Sequence, residues 1–169
     1  MKRKRQFTAR VLALLLAAVL LGGTVPLGIT AADTIAVSPT ALTTIVLADA
    51  CEAFGHIDGG EGQLYVETTL GDPYFDRVRP GDRIDLKVRV EKAGTYRWCV
   101  VSGWAKDTAN GTFRLFLDGE QITEPLANQV PGIDWRTWQD STPGTVKLPA
   151  GEHTLSLVTD TAGPPLFAL

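Results

Sequence analysis

The chain has 169 residues, enough for one domain with a hydrophobic core, and its 16 lysines and arginines against 19 aspartates and glutamates give a formal net charge of −3. This acidic balance argues against a nucleic-acid ligand, because acidic surface repels a phosphate backbone. The two histidines, His56 and His153, and the two cysteines lack zinc-site spacing. A phosphate-binding loop and the Gly-x-Ser-x-Gly motif of hydrolases are also absent from the sequence.

The first 32 residues have the layout of a secretory signal peptide. Lysines and arginines at positions 2–5 precede the apolar run Val11–Leu21, and small residues lead to an expected cleavage after Ala32. Because Val11–Ala32 is uncharged over 22 residues, an uncleaved membrane anchor is the alternative, which internal glycines and a proline disfavour. We therefore predict a secreted protein, extracellular or at the cell surface, with membrane contact only if this segment stays uncleaved.

Residues 33–43 are predicted to form an N-terminal lead-in, and residues 44–169 a single domain. Five of the 16 cationic residues and none of the 19 acidic ones lie in residues 1–32, so the remainder has a net charge of −8. Such a surface suits neutral or cationic ligands and bound Ca²⁺.

Alternation of apolar and charged side chains predicts β-strands in the centre of this domain. In residues 83–90 every second residue is aliphatic, and successive side chains of a strand point to opposite faces. The charged residues, Asp85 among them, are therefore expected to face water. The aliphatic residues are expected to face a core, and these are Ile84, Leu86, Val88 and Val90. Residues 95–101 continue the pattern, with Trp98 and Val100 on one face.

Two turn signals follow along the chain. Asp118-Gly119 between two alternating runs predicts a tight two-residue hairpin with positive φ. The preceding run leaves Phe116 on the outward face, as a second ligand platform or, the favoured alternative, as a covered residue. The run VKLPAGEHTLSLV, residues 146–158, predicts strand, turn and strand once more.

About seven or eight short strands separated by turns indicate an all-β fold, an antiparallel β-sandwich following the signal peptide. The last run, GPPLFAL, is expected to be either a very brief final strand or a strand cut short in a fragment of a longer protein. Cys51 and Cys99 would enter an exporting pathway, where a disulfide between them would stabilise the fold by roughly 4 kcal/mol. Two free thiols are the alternative.

Three motifs occur in a fixed order: RPGDRIDLKVRVEKAGTYRWCV at residues 79–100, GTFRLFLDGEQI at residues 111–122 and WRTWQDSTPGTVKLPAGEHTLSLV at residues 135–158. Together they resemble the carbohydrate-binding modules of families 6 and 35, over about residues 44–169. The resemblance implies a galactose-binding-like jelly roll that is not catalytic and that binds polysaccharide or oligosaccharide in loops at one edge of the sandwich.

The resemblance also assigns the aromatic residues of the third motif. Trp135 matches the tryptophan that stacks on a sugar ring, and Trp138 matches a buried aromatic. The family's second aromatic is replaced here by Arg77, and the nearby Tyr74 and Phe75 are candidates either to substitute for it or to lie in the core. A pyranose presents a face of C–H bonds to an aromatic ring, while its hydroxyls need polar partners, for which the candidates are Asp134, Arg136, Gln139 and Asp140.

The same resemblance implies a structural calcium. Asp49 and Glu52 resemble the N-terminal acidic residues of the family's metal site, whose last carboxylate would fall just past Leu169. Calcium binds six to eight oxygens, so a site that lacks one carboxylate is expected to be weak.

The sequence thus predicts a secreted, non-catalytic carbohydrate-binding module. The alternative is a structural or adhesive sandwich of a larger extracellular protein without sugar binding, which Arg77 and the replacement of the family's last-strand asparagine by Ala168 favour. A glycosidase is the least favoured alternative, because the carboxylate pairs Asp58/Glu61 and Asp72/Asp76 lie in loops where acidic residues commonly serve turns.

Overall fold

The computed structural model of the protein describes residues 34–59, 64–104, 111–130, 133–161 and 163–169. The predicted signal peptide, and with it the alternative membrane anchor, lies outside these residues. Within the described ranges, none of the helices combines the length and the apolar character that crossing a membrane would require.

The regular structure of the described residues is almost entirely β-strand. They form fourteen strands and one short helix, which are, in chain order, β1 (Ile35–Val37), α1 (Leu47–Ala50), β2 (Cys51–His56), β3 (Tyr65–Glu67), β4 (Tyr74–Asp76), β5 (Asp82–Val90), β6 (Gly94–Trp98), β7 (Val101–Trp104), β8 (Thr112–Leu117), β9 (Glu120–Gln121), β10 (Leu126–Ala127), β11 (Asp134–Asp140), β12 (Gly144–Leu148), β13 (Gly151–Thr159) and β14 (Leu166–Ala168).

These strands form three sheets. The seven-stranded sheet has the order β1-β5-β13-β8-β10, with β2 also beside β5 and β9 beside β8. The five-stranded sheet has the order β11-β7-β14-β4-β3, and β12 pairs with β6. The pairs are antiparallel except that β1, from the predicted lead-in, runs parallel to β5. The predicted all-β antiparallel fold is confirmed.

The hydrophobic core lies between the seven-stranded and five-stranded sheets. The alternating aliphatic residues of β5 are all buried, as predicted, and residues from β8 and β13 extend the same layer. The facing layer contains Phe75, Val100 and Leu166. Removing each such side chain from water stabilises the fold by about 1.5–3 kcal/mol, so this layer holds the five-stranded sheet in place.

Asp85 on β5 departs from the simple alternation, because it is only 8% exposed although it was predicted to face water. Its carboxylate accepts a hydrogen bond of 2.6 Å from the hydroxyl of Ser156 and lies 3.1 Å from the guanidinium of Arg83. A carboxylate is tolerated in a buried position when it has such partners. Asp85 therefore points away from the core, as the alternation of β5 predicts, but it is covered by the neighbouring strand β13.

The turn between β8 and β9 has the predicted conformation, with φ of 51° at Asp118 and 88° at Gly119. The Asp118 carboxylate accepts hydrogen bonds from the ring Nδ1 of His153 at 2.7 Å and from the backbone N–H of Thr154 at 2.8 Å. These two bonds lower the pKa of Asp118, that from His153 most. They attach the turn to the neighbouring strand β13.

Replacing Gly119 with alanine is expected to lower the free energy of unfolding by about 1–2 kcal/mol, because a side chain disfavours the left-handed region. No atom lies within 4 Å of the position that the new Cβ would take, so steric contact does not add to this cost. Urea unfolding measures the effect, with Gly94→Ala as control, since its added Cβ would make only an ordinary contact of 3.9 Å with Tyr96. Equal stability of Gly119→Ala and wild type would contradict the turn assignment.

The strands around the turn at residues 149–150 form as predicted but do not pair with each other. Strand β12 pairs with β6, and β13 pairs with β5 and β8. The turn therefore passes the chain from one sheet to another. The final apolar run forms the brief strand β14, which lies between β7 and β4 in the five-stranded sheet.

The predicted disulfide is not formed in this structure, where Cys51 and Cys99 are both free thiols. Cys51 begins β2 in the seven-stranded sheet, whereas Cys99 follows β6, which belongs to the two-stranded sheet. Burial raises the pKa of both thiols. The alternative of two free thiols therefore describes the structure, although Cys99 lies just past the end of β6.

Candidate functional site

Trp135 lies on β11, the edge strand of the five-stranded sheet, and 47% of its surface is exposed. Ile133, two residues earlier in the chain, is 61% exposed, so the start of this strand exposes two large apolar residues. Tryptophan is highly buried on average in folded proteins, so an indole left this open is an informative exception. The edge around Trp135 is the candidate ligand surface.

A bulge in β11 carries Trp135 away from the regular strand pairing. Asp134 pairs with Trp104 and Trp138 pairs with Gly103, the next residue on β7. The register on β7 therefore shifts within residues 135–137. A bulge of this kind bends the strand and redirects its side chains.

The carboxylate of Asp134 supports the start of this bulge. Its Oδ1 accepts a hydrogen bond of 2.7 Å from the backbone N–H of Arg136. That bond, followed by bonds from the hydroxyl and N–H of Thr137, lowers the pKa of Asp134. Of the candidate polar partners for a sugar, Asp134 thus already has donors within its own loop, and Gln139 is buried.

Trp138 ends the bulge and begins an aromatic layer across the sheet. Its ring is stacked on Phe167, with ring centroids 5.0 Å apart and planes at 12°, and meets Tyr74 edge-on at 5.2 Å and 61°. Phe167 belongs to β14, one strand beyond β7, so the indole of Trp138 passes over Gly103. Such aromatic pairs contribute about 0.5–1.5 kcal/mol each beyond the area they bury.

Gly103 is required for this close packing. A Cβ at Gly103 would lie 2.6 Å from the carbonyl oxygen of Trp135 and 3.4 Å from Cζ3 of Trp138. The first distance is shorter than any normal contact, and its partner is backbone. The absence of a side chain at Gly103 therefore lets the bulge lie against β7.

Tyr74 and Phe75, both candidates for the second sugar-contacting aromatic, lie on opposite faces of β4. Tyr74 is 5% exposed, and its hydroxyl lies 3.1 Å from the hydroxyl of Thr69. Phe75 is 0% exposed and packs edge-on against Phe54 at 5.1 Å. Phe75 is therefore a core residue, which corrects its assignment to the binding surface, because its ring has no face open to a ligand.

Arg77, at the place of the family's second aromatic, is exposed and has a left-handed backbone with φ of 56°. Its N–H donates to Oδ1 of Asp76 at 2.7 Å, and its guanidinium lies 5.5 Å from the ring centroid of Tyr65. The hydroxyl of Tyr65 donates to Oδ2 of Asp76 at 3.3 Å. The exposed Tyr65 was not singled out from the sequence, because only the pairing of β3 with β4 brings it beside Asp76.

The predicted sugar-contacting residues do not form one cluster. Trp135 lies on β11, whereas Arg77 follows β4, and β7 and β14 lie between these strands. At about 4.8 Å per strand, β11 and β4 are roughly 14 Å apart. Tyr74 contacts the Trp138 ring, so it belongs to the aromatic layer that supports the bulge.

The predicted calcium residues are not arranged as a ligand set. Asp49 is exposed in α1, and the carboxylate of Glu52 forms an ion pair with the ammonium group of Lys87. In the described part of the chain, no group of three or more histidine, cysteine, aspartate or glutamate side chains could hold a metal ion. The residues present thus do not fit the implied site, and calcium binding stays a prediction.

No protein-family model and no curated protein matches the sequence. Several solved structures are similar to this protein in fold. A family 35 carbohydrate-binding module from Clostridium thermocellum is similar over 75% of this chain and 93% of its own, with a TM-score of 0.58 and 16% identity. The C-terminal family 6 module of a marine laminarinase from Zobellia galactanivorans is similar over 75% and 94% of the two chains, with a TM-score of 0.59 and 18% identity.

The chain has the fold of these carbohydrate-binding modules. A third match is a carbohydrate-binding module of the Cellvibrio mixtus lichenase 5A, in complex with cellotriose, with a TM-score of 0.54 and 21% identity over 75% of this chain and 92% of that one. The predicted resemblance to families 6 and 35 is thereby confirmed at the level of the fold. Within this fold, Trp135 lies on the edge strand of the five-stranded sheet.

Proposed function

We propose that this protein is a secreted, non-catalytic carbohydrate-binding module that binds an oligosaccharide or polysaccharide through the ring of Trp135. The observation that carries the proposal is the exposed indole on the bulged edge strand of this fold. The likeness to solved carbohydrate-binding modules, one of them in complex with cellotriose, supports it.

The chemistry of the edge suits a sugar. An indole offers a large flat apolar surface with few rotatable bonds, so little conformational entropy is lost when a ligand stacks on it. The exposed Ile133, two residues before Trp135, adds apolar surface at the start of the strand, and the exposed Arg136 provides donors for hydroxyl groups. We expect modest affinity, because one platform with few polar contacts buries a small area.

The carboxylates of Asp76 on β4 and Asp134 on β11 favour a binding role over catalysis. The two oxygens of Asp76 accept hydrogen bonds from Arg77 and Tyr65, and Asp134 accepts bonds from its own bulge. A glycosidase needs two carboxyl groups that flank one bond of the substrate. These carboxylates are instead used to hold loops in place.

Secretion is part of the proposal and rests on the N-terminal sequence. A cationic end followed by Val11–Leu21 and small residues is typical of a signal peptide. N-terminal sequencing of the protein recovered from the culture medium of an expressing bacterium would test it, with Asp33 as the expected first residue.

Binding is tested by isothermal titration of the purified protein with cellotriose, laminaritriose, β-1,3-galactotriose and panose, and by affinity electrophoresis in gels containing the matching polysaccharides. We expect measurable binding to at least one of these glycans. Absence of binding to all of them, by a protein shown to be folded, would favour the structural or adhesive alternative.

A further inference from the structure

The orientation of Trp135 depends on three residues of β11 that leave the strand ladder. The register of β11 on β7 shifts between Asp134 and Trp138, so the N–H groups of Arg136 and Thr137 need acceptors outside the regular ladder. Asp134 provides one, since its Oδ1 accepts from Arg136 at 2.7 Å. Its pKa is lowered by that bond and by bonds from Thr137, which shows that the ionised carboxylate is favoured by the bulge.

The other side of the bulge is fixed by packing. Gly103 leaves room for the Trp135 carbonyl, which a Cβ would approach to 2.6 Å. Trp138, the residue after the bulge, is stacked on Phe167. With one end fixed by an aromatic stack and the carbonyl seated over a glycine, the path of residues 135–137 depends on the hydrogen bonds at the other end.

We infer that Asp134 is a positioning residue, whose carboxylate holds residues 135–137 out of the ladder and thereby presents the Trp135 ring to a ligand. The effect on ligand binding rests on the proposed function, whereas the effect on the bulge does not. Asp134 acts through the backbone of Arg136 and Thr137 and does not contact the sugar. This assignment differs from that of a polar partner for sugar hydroxyls.

The test compares Asp134→Ala, Asp134→Asn and wild type by amide hydrogen exchange, read by NMR, and by titration with the four oligosaccharides named above. In Asp134→Ala the amides of Arg136 and Thr137 are expected to exchange about tenfold faster, because a hydrogen bond to a charged acceptor is lost. The affinity of Asp134→Ala for the sugar should also fall by about tenfold. Asp134→Asn keeps an oxygen acceptor and should stay within about threefold of wild type in both measurements.

Glu120→Ala is the matched control, because it removes the same charge from an exposed residue in the seven-stranded sheet. The inference is overturned if Asp134→Ala leaves the two amides or the sugar affinity unchanged, or if Asp134→Asn is as impaired as Asp134→Ala. If wild type binds none of the four oligosaccharides, the proposed function fails. The exchange rates then still decide whether Asp134 holds the bulge.

Discussion

Replacing Trp135 with alanine is expected to weaken glycan binding by about 30-fold, or about 2 kcal/mol, the loss typical of a tryptophan at the centre of a binding surface. The stability of the protein should change by less than about 0.5 kcal/mol, because the ring is 47% exposed and lies on an edge strand. Titration and urea unfolding of the same preparations measure the two effects.

Two further variants define what the ring contributes. Trp135→Phe keeps a smaller aromatic face and should retain part of the affinity, whereas Ile133→Ala removes exposed apolar surface two residues earlier and should have a smaller effect. Retention of wild-type affinity by Trp135→Ala would place the glycan elsewhere on the protein.

Replacing Phe75 with alanine is expected to reduce stability rather than glycan binding. The free energy of unfolding should fall by about 3–5 kcal/mol, the usual cost of removing a buried phenylalanine. Phe75 is fully buried in the layer that faces β5, where its loss leaves a cavity. Urea unfolding measures the loss, and glycan affinity at a temperature where the variant remains folded should stay close to that of wild type.

Phe54→Ala is the control for this prediction. Phe54 packs edge-on against Phe75 but is itself exposed, so its removal should cost less than half as much. A Phe75→Ala variant that has normal stability but no longer binds glycan would show that Phe75 belongs to the binding surface and not to the core.

Features that depend on neighbouring residues in the sequence could be predicted. The four aliphatic residues of β5 are buried because the period of a strand fixes which side chains share a face. The Asp118-Gly119 turn follows from the conformational preferences of two adjacent residues. Both predictions need no knowledge of where other strands lie.

Features that depend on strand pairing could not be predicted. Alternation shows that Tyr74 and Phe75 point to opposite sides of β4, but only the packing of the sheets decides which of them enters the core. Likewise, the sheet to which β12 belongs is set by its pairing with β6, which lies about 50 residues earlier in the chain. The burial of Asp85 requires Ser156 from β13.

In the candidate site, too, some features could be predicted from the sequence and others depend on strand pairing. The identity of Trp135 as the exposed tryptophan of the pair followed from the resemblance, whereas the bulge that exposes it depends on Gly103, a residue of another strand. The contacts of Tyr65 with Arg77 and of Phe167 with Trp138 also depend on which strands lie side by side.

The most direct test of the account is an NMR measurement of contacts between the Trp135 indole and the C–H protons of whichever of the four oligosaccharides binds. The indole signals would be assigned by their loss in Trp135→Phe. We predict nuclear Overhauser contacts from this ring to protons on one face of a sugar, with upfield shifts of those protons. A bound sugar whose contacts all lie elsewhere, with the Trp135 signals unchanged, would contradict the account.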